Sequence, residues 1–358
     1  MITSGTSEDL WSEVVSFPNL LLAFRRASKG KRKRADVARF GLNLERELFD
    51  LRAELATGEY TPGSYRQFTI YERKPRIISA APFRDRVVHH AVMNVVEPLL
   101  DPTFIPHSYA CRKGLGVHRA VNYYQRMARR YAYALHMDVA QYFPSIDRQM
   151  LIQKLAVRIE NARVLALLRN IIENAPSTLQ SLPVFAGDDL LTPLERPCGI
   201  PIGNLTSQFL ANLYLDDLDH WITKAQKVPA YLRYVDDMVV LDDSKARLAD
   251  IREMVRQRLA QDRLLLHPRK AHIVPTHDGV SLLGYQVFPK FRRLRPDGVR
   301  FTRRRMRALQ RAYALGKIDW PTLNSSIQSW IGHAAHADSA GLRKNLFSEK
   351  SKSGTDHD

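Results

Sequence analysis

The chain has 358 residues, 45% of them hydrophobic, and a formal net charge of +17. This composition supplies enough apolar side chains for a sizeable core and excludes a disordered tail protein. The charge predicts a polyanionic partner, with nucleic acid first and an acidic membrane second. No apolar run approaches the roughly 20 residues that a membrane span requires, so we expect no membrane partner. The N-terminus lacks a basic region followed by an apolar one, and two cysteines are too few for a disulfide framework or a cysteine zinc site. Both features favour a cytoplasmic protein.

Residues 1–60 are predicted to form an N-terminal helical segment that carries a basic loop. Leu44, Leu48 and Leu51 recur at helical spacing. The stretch 25–34 holds seven Lys or Arg residues, which cannot pack into a core. A solvated loop and an arm that contacts phosphates are both open interpretations of this stretch.

A break at Tyr60–Gly63 precedes an alternating strand at Tyr65–Tyr71. Pro75 keeps the next piece extended, so Lys74 and Arg76 project to the same side of it. Two cations on one face of a strand suit a triphosphate. An edge strand that is protected by charge is the alternative.

Three aspartates stand next to apolar strands. Asp138 ends the strand Tyr133–Val139, and Asp236 and Asp237 lie between two apolar runs in Tyr231–Leu241. Turn formation or helix capping would explain these acids, and so would a divalent metal that offsets their charge. If the strands are antiparallel neighbours, Asp236 would share the face of Asp138, whereas Asp237 would join them only through the turn and is the less certain ligand. Carboxylates, water and substrate phosphates are what Mg²⁺ prefers, and two such ions promote in-line nucleotidyl transfer.

The remaining chain divides into further segments. These are, in order, a surface insertion near 174–198, a helix at about 244–263, a tight hairpin at Ser281–Pro289, a small helical module within 290–348 and a polar tail at 349–358. His333 and His336 have a spacing that suits a metal, but nothing nearby supplies further ligands, so packing or capping is preferred for them.

The ordered motifs from Lys74 to Pro289 resemble those of a reverse transcriptase. They are the basic strand at Lys74–Ile78, Met137–Asp138, the Gly-Ile-Pro-Ile-Gly loop at 199–203, the Tyr-Val-Asp-Asp box at 234–237, the Lys270 region and the Leu-Gly-Tyr turn at 283–285. The resemblance implies an α+β, right-hand polymerase fold. Its fingers and palm, an antiparallel sheet with helices, would occupy 61–289, and a small helical thumb would occupy 290–348.

The resemblance also implies a set of site residues. Asp138, Asp236 and Asp237 would be catalytic and would bind two Mg²⁺ ions, for which Mn²⁺ can substitute. The implied dNTP-binding residues are Lys74, Arg76, Phe143, Ile202, Gly203, Gln208 and Lys270. Phe143 matches the bulky side chain that blocks a ribose 2′-hydroxyl, so the product would be cDNA copied from a template RNA. The implied primer- and template-binding residues are Arg112, Leu283, Gly284, Tyr285, Arg303, Arg304 and Arg305.

Several motifs resemble the enzymes of diversity-generating retroelements in particular. They are Ile202-Gly-x-x-x-Ser-Gln208, Asp85–His90, Tyr109–Arg112 and Trp330–Ala334. Those enzymes make errors at template adenines and work with a small basic accessory protein. The segment 176–198 is longer than that compact type requires, which leaves room for an antiviral-defence reverse transcriptase with a non-coding RNA. An inactive RNA-binding scaffold, an RNA polymerase and a terminal transferase also stay open as functions.

Overall fold

The computed structural model describes residues 7–71, 75–176 and 183–348. The described part of the predicted N-terminal segment holds α1 (Ser7–Val14), α2 (Phe17–Ser28), α3 (Ala35–Leu42) and α4 (Leu44–Thr57). Leu48, Leu51 and Leu55 of α4 are buried, because their spacing places them on one face of the helix. The basic loop between α2 and α3 is exposed, as both interpretations of it require.

A second group of helices surrounds the sheets. Helix α5 (Phe83–Leu100) packs against α2, and its buried Asp85 accepts hydrogen bonds from the Tyr60 hydroxyl (2.9 Å) and the Gly63 amide (2.8 Å). The following helices are α6 (Val117–Ala128), α7 (Tyr142–Ser145), α8 (Arg148–Ala156), α9 (Ala162–Glu173), α10 (Thr192–Glu195), α11 (Leu205–Tyr214), α12 (Asp216–His220) and α13 (Lys245–Gln261). Asp85 therefore fixes the chain where it leaves the N-terminal helices.

The strands β1 (Arg66–Tyr71) and β2 (Pro75–Ala80) form an antiparallel hairpin near the N-terminal helices. Every residue of β1 is exposed, and only Ser79 of β2 is buried. Lys74 lies outside the described residues.

A four-stranded antiparallel sheet forms the centre of the molecule. Its strands are β3 (Tyr133–Asp138), β4 (Ala230–Tyr234), β5 (Asp237–Asp242) and β6 (His272–Pro275), in the spatial order β4-β5-β3-β6. Because side chains alternate along a strand, Leu135 and Met137 join the larger core cluster, whereas Ala134 faces the cluster built around α6. Asp138 is four residues after Ala134 on the same strand and therefore lies on the same face, which carries α6.

A three-stranded sheet and a helical module follow the central sheet. The predicted hairpin is confirmed: β7 (Val280–Leu282) pairs with β8 (Tyr285–Val287), and β9 (Arg292–Leu294) adds to β8. The module consists of α14 (Pro296–Ala314), α15 (Trp320–Ala334) and α16 (Ala340–Ser348). It begins at Pro296 and not at residue 290, because β9 pairs with β8 before the chain becomes helical. The predicted tail at 349–358 lies outside the described residues.

The predicted insertion forms a surface segment over its described part, 183–198. Arg196 pairs with Asp188 and donates to the Pro183 carbonyl at 3.1 Å, while Cys198 is buried and bridges to Asp147. The buried Asp147 carboxylate accepts from Arg263 at 2.6 Å. Ionic contacts and one β-bridge, between Cys198 and Asp147, therefore hold this segment to the body of the protein.

Candidate active site

The three aspartates meet at one end of the central sheet. Asp138 pairs directly with Asp237, and Tyr234 also pairs with Asp237, so Val235 and Asp236 form a two-residue turn. Side chains that are directly opposite in an antiparallel pair lie on the same face, with Cβ atoms about 4.5–5.5 Å apart. Asp237 is therefore the residue that shares the face of Asp138. The expectation that Asp236 occupies that position is wrong, because the turn is two residues long and shifts the register.

The turn itself has an unusual backbone. Val235 has a φ of +58°, in the left-handed region that glycine and asparagine normally occupy. A β-branched residue in this region costs on the order of 1–3 kcal/mol and persists only where surrounding contacts impose it. The structure contains such contacts directly below the turn.

Arg233 provides these contacts, and its guanidinium is fully buried. Its Nε donates to both carboxylate oxygens of Asp219, at 2.8 and 2.9 Å, and its Nη2 donates to Asp219 Oδ2 at 2.6 Å. Its Nη1 donates to the Val235 carbonyl at 3.0 Å and to the side-chain oxygen of Asn212 at 3.1 Å. The Tyr231 hydroxyl donates to Asp219 at 2.7 Å. One buried arginine thus joins the acidic turn to α11 and α12.

Sequence reasoning missed Arg233 because a single arginine in a short apolar strand is expected to reach solvent. The position of Arg233 along the strand could have revealed it, because alternate residues of a strand face opposite sides of the sheet. Arg233 is one residue before Tyr234 and therefore points to the side of the sheet opposite Asp237, where the larger core lies. A charge on that side requires a buried partner, and Asp219 in the preceding helix α12 supplies it.

The electrostatics of the site are set by burial first and by like charges second. Burial, followed by the charges of Asp237 and Asp138, raises the pKa of Asp236 to about 6. Lys270 Nζ lies 2.7 Å from Asp138 Oδ2 and supplies a countercharge. His136 Nε2 lies 3.4 Å from Asp237 Oδ1. The expected convergence of the three acids is therefore present, and one of them carries a cation as its partner.

The side chains around the acids decide whether the implied metal fits. Within the described ranges, no group of three or more His, Cys, Asp or Glu side chains is placed to hold a metal ion. The donor set still fits Mg²⁺, which usually binds one or two carboxylates and completes its shell with water and substrate phosphates. The lysine ammonium on Asp138 also occupies a position where a cation neutralises the acids. The residues present are therefore compatible with the group, as an open site.

A second group of implied residues lies beside the acids. The Phe143 carbonyl accepts from the Ile200 amide at 3.0 Å, so the loop at 199–203 lies against the turn that carries Phe143. The same loop contacts β2, since the Ser79 amide donates to the Ile202 carbonyl at 3.4 Å. A Cβ at Gly203, whose φ is +109°, would lie 3.1 Å from Ile78. The structure thus brings Phe143, Ile202 and Gly203 to one place next to β2.

The remaining residues of that group are more exposed. Arg76 lies on the exposed part of β2, whereas Lys74 is outside the described residues. Gln208 is exposed in the first turns of α11, and its side-chain oxygen lies 3.7 Å from the Cys111 sulfur. Lys270, expected at the nucleotide, instead contacts Asp138 directly.

Arg112 has a different environment from the expected primer or template contact. Its Nε donates to Asp101 at 2.6 Å, and its Nη1 and Nη2 donate to the carbonyls of Ile105 (2.8 Å) and Asp101 (3.0 Å). An arginine whose donors already bind the protein has little capacity left for a phosphate. The contacts of Arg112 therefore fix the 101–112 loop.

The turn at Leu283–Gly284 and the C-terminal helices are linked. Leu283 and Gly284 both have positive φ, +48° and +95°, as a two-residue type I′ hairpin requires. The Tyr285 hydroxyl lies 3.0 Å from His333 Nδ1, and the ring of His336 stacks on His118 with centroids 3.5 Å apart. The packing interpretation of the two histidines is thus confirmed. Farther out on α14, three successive arginines are exposed: Arg303, Arg304 and Arg305.

Comparisons with known proteins agree with this geometry. Residues 67–287 match the family model described as reverse transcriptase (RNA-dependent DNA polymerase). Protein YkfC of Escherichia coli (strain K12) is 27% identical over 286 residues, covering 68% of this chain and 72% of its own length. The group II intron-encoded protein LtrA of Lactococcus lactis subsp. cremoris is 23% identical over 181 residues, which are 50% of this chain and 28% of LtrA. The mitochondrial nuclear intron maturase 4 of Arabidopsis thaliana is 23% identical over 218 residues, which are 61% of this chain and 26% of the maturase.

Two further facts bound the assignment. The chain spans only about a quarter of the length of the two named intron proteins. In the ranges that the structure describes, no helix has the length and apolar character needed to traverse a bilayer. The family match covers more than half of the 358 residues and includes all three aspartates. The chain therefore belongs to the reverse transcriptase family.

Proposed function

We propose that the chain is an active RNA-directed DNA polymerase that extends a primer on an RNA template. The observation that carries this proposal is the direct pairing of Asp138 with Asp237, beside Asp236 at the tip of a braced hairpin. An inactive RNA-binding scaffold would have no need of three acids in one place. It would also have no need of the buried network that holds their turn.

In this proposal the central sheet with its helices is the palm, and β1–β2 with the neighbouring helices forms the fingers. The helices α14–α16 form the thumb, whose exposed Arg303, Arg304 and Arg305 contact the backbone of the template–primer duplex. The Leu283–Gly284 turn, which packs next to His333, positions the primer strand. The boundary at residue 290 moves to Pro296, where α14 begins.

The site residues have two proposed roles. Some would hold the metal ions, and others would neutralise the charge of the triphosphate. Two bound Mg²⁺ ions would activate the primer 3′-hydroxyl and stabilise the charge on the leaving pyrophosphate. Asp138 and Asp237 hold that cationic region from the two strands, and Asp236 does so from the turn. Lys270, whose Nζ lies 2.7 Å from Asp138 Oδ2, would offer its charge to the triphosphate if the acids held the metal. Arg76 on β2 offers a further cation to the triphosphate.

Phe143 is proposed to select deoxyribonucleotides. It lies against the loop that contains Ile202 and Gly203, and an aromatic ring there leaves no room for a ribose 2′-hydroxyl. The variant Phe143→Ala should accept ribonucleotides more readily, which a side-by-side extension with dNTPs and rNTPs would measure. No gain in ribonucleotide incorporation would show that another residue selects the sugar.

For the biological role we propose error-prone cDNA synthesis of the diversity-generating type, with a small basic accessory protein as partner. Ile202 supports it: an aliphatic side chain there removes an amide group near the incoming nucleotide, so base geometry is checked less tightly. If Ile202→Gln leaves misincorporation at adenines unchanged, this reasoning is wrong. A defence enzyme that copies a non-coding RNA is the second candidate, favoured by the insertion that precedes the loop. The intron-related names of two relatives make intron RNA a third template to test.

The decisive experiment is extension of a primed RNA template with Mg²⁺. The wild-type protein should incorporate dNTPs, and the variant Asp236→Asn–Asp237→Asn should not, while RNA binding persists in both. Asp250→Asn, an exposed acid on α13, is the matched control and should extend normally. Absence of incorporation by the wild type, with RNA bound, would support an inactive scaffold. Sequencing the co-purified RNA and its cDNA would then identify the template.

A further inference from the structure

The three helices α14–α16 enclose a cavity in place of a closed core. Its volume is about 550 Å³, within the range of small-ligand sites. Among the described hydrophobic residues of these helices, only Met306, Leu323 and Ala334 are buried. Two large aromatic side chains at the cavity stay in contact with solvent, Trp320 at 55% exposure and Tyr313 at 44%. Exposed aromatic surface in a concave site indicates a ligand rather than a finished core.

The wall of the cavity that α14 supplies carries polar side chains beside Met306, Tyr313 and Ala314. Arg303, Arg307 and Gln310 line it at spacings of four and three residues, which places them on one helical face. In a three-helix module that face normally carries apolar residues. The opposite wall, from α15, is apolar and includes Trp320 and Leu323. The cavity therefore pairs flat cationic and amide groups with an aromatic wall.

The rings at the mouth are arranged as an open notch. The centroids of Tyr313 and Trp320 lie 6.0 Å apart at an interplanar angle of 60°. The rings are thus not stacked on each other, and each keeps an exposed face. Asp319, the acid nearest to Trp320 in sequence, is committed to capping α15, where it accepts from the Thr322 amide at 3.0 Å. The net charge presented at the mouth is positive.

We propose that this cavity binds an unpaired base of single-stranded RNA. Aromatic rings and arginine planes stack on bases of any sequence, arginines neutralise the adjacent phosphates, and a glutamine can bond a base edge. A small basic protein would be repelled by Arg303 and Arg307, so charge favours the nucleic acid. The choice of RNA rests on the proposed function, in which template RNA is the single-stranded polymer at hand. Arg303 belongs both to this contact and to the duplex contact proposed for Arg303, Arg304 and Arg305, whereas the other lining residues belong to the cavity alone.

The test measures binding of oligouridylate, about ten nucleotides long, without Mg²⁺, by tryptophan emission and by filter binding. Trp320→Ala and Tyr313→Ala should each weaken binding by about tenfold, as expected for loss of one base–aromatic stack. Phe301→Ala is the matched control, because Phe301 is an aromatic of α14 with the same 44% exposure but does not line the cavity. It should bind within about twofold of wild type, a shift too small for one lost stack.

Charge is controlled separately. Arg307→Gln and Arg311→Gln each remove one cation of α14, and only Arg307 lines the cavity. Both should lower the salt dependence of binding similarly, whereas only Arg307→Gln should reduce the quenching of Trp320. A base-free ribose-phosphate strand should compete weakly and leave the emission unchanged.

The proposal would be overturned by equal quenching by the base-free strand, by equal loss of binding in Phe301→Ala, or by tighter capture of a DNA strand of the same sequence. An emission change that follows protein concentration without RNA would assign the cavity to self-association instead, and would overturn it too. The variant Asp236→Asn–Asp237→Asn should bind oligouridylate like wild type, so a failure of catalysis and a failure of this site are read separately.

Discussion

Replacing Arg233 with leucine should destabilise the protein and should also displace the carboxylates of the acidic turn, which lowers activity. The two effects can be separated. The variant leaves the fully buried carboxylate of Asp219 with the Tyr231 hydroxyl as its remaining donor among the contacts of the acidic turn. Removing one member of a buried ion pair costs about 3–5 kcal/mol. Because a folded domain has only about 5–15 kcal/mol of stability, the single variant will be close to unfolding at moderate temperature. Loss of activity in it would therefore prove little.

The double variant Arg233→Leu–Asp219→Leu isolates the positioning effect. Replacing both members of a buried pair by apolar residues is often neutral for stability, so we expect its free energy of unfolding within about 2 kcal/mol of wild type. The Val235 carbonyl nevertheless loses its donor at 3.0 Å, and Asp236 follows it in the turn. A misplacement of reacting groups by about 1 Å can cost about 100-fold in rate. We therefore expect kcat for dNTP incorporation to fall at least about tenfold, with little change in KM.

A second buried pair serves as the matched control. Arg158, two residues after the end of α8, pairs with Asp216 of α12 at 3.0 Å, with 18% and 2% side-chain exposure, and neither contacts the acidic turn in the hydrogen bonds described. Arg158→Leu–Asp216→Leu should show a comparable change in urea-induced unfolding but keep its kcat. The assays are urea unfolding followed by fluorescence and steady-state primer extension. If the Arg233 double variant is folded and extends primers at the wild-type rate, the bracing role assigned to Arg233 is refuted.

Three further predictions concern titration and strain. Because the pKa of Asp236 is raised to about 6, the folded protein binds this proton more tightly than the unfolded chain does, so the stability of the metal-free protein should fall as pH rises through about 6. The affinity for Mg²⁺ should instead fall as pH drops below about 6, because the protonated carboxyl no longer attracts the ion. Calorimetric titration of wild type and Asp236→Asn tests both trends. Val235→Gly should be more stable in urea than Val235→Ala by about 1 kcal/mol, because glycine adopts a φ of +58° freely. At an ordinary position alanine is the more stabilising of the two residues. Equal stability of the two variants would mean that the turn is unstrained. Burial and neighbouring imidazoles, including that of His336, lower the pKa of His118 and His333, so stability should be lost as pH falls through the ordinary histidine value. The hydrogen-exchange protection factors of α15, which divide out the intrinsic pH dependence of exchange, should then fall, and they should fall less in His118→Phe. Unchanged protection factors between neutral pH and about pH 5 would contradict the reasoning.

The sequence predicted what depends on local pattern. Helix α4 followed from the spacing of its leucines, and the β7–β8 hairpin followed from the Leu-Gly turn between apolar residues. It could not predict pairings that depend on distant partners. The strand β9 lies in a basic run whose sequence has no strand pattern, so only its pairing with β8 identifies it. Arg112 looked free for phosphate because Asp101, eleven residues away in sequence, is not a helical neighbour.

The same limit explains the error in assigning faces to the acids. Alternation along β5 was counted from Asp236, but the strand begins at Asp237, opposite Asp138. Whether one or two residues form the turn is decided by the cross-strand register, and one residue of slip reverses every face. The site was therefore predictable as a set of residues and not as an arrangement.

The arrangement itself distinguishes a working site from a structural turn. A turn made only to reverse the chain would be cheapest with glycine or asparagine at the position of Val235 and with uncharged neighbours. This turn instead combines a left-handed β-branched residue with three acids, and burial together with their mutual repulsion raises the pKa of Asp236. Local inconsistencies of this kind persist where selection acts on something other than stability. Arg233 below the turn and Lys270 above it offset the cost, each from a different part of the chain. A turn that requires this much support indicates that the position of its carboxylates is what the fold preserves.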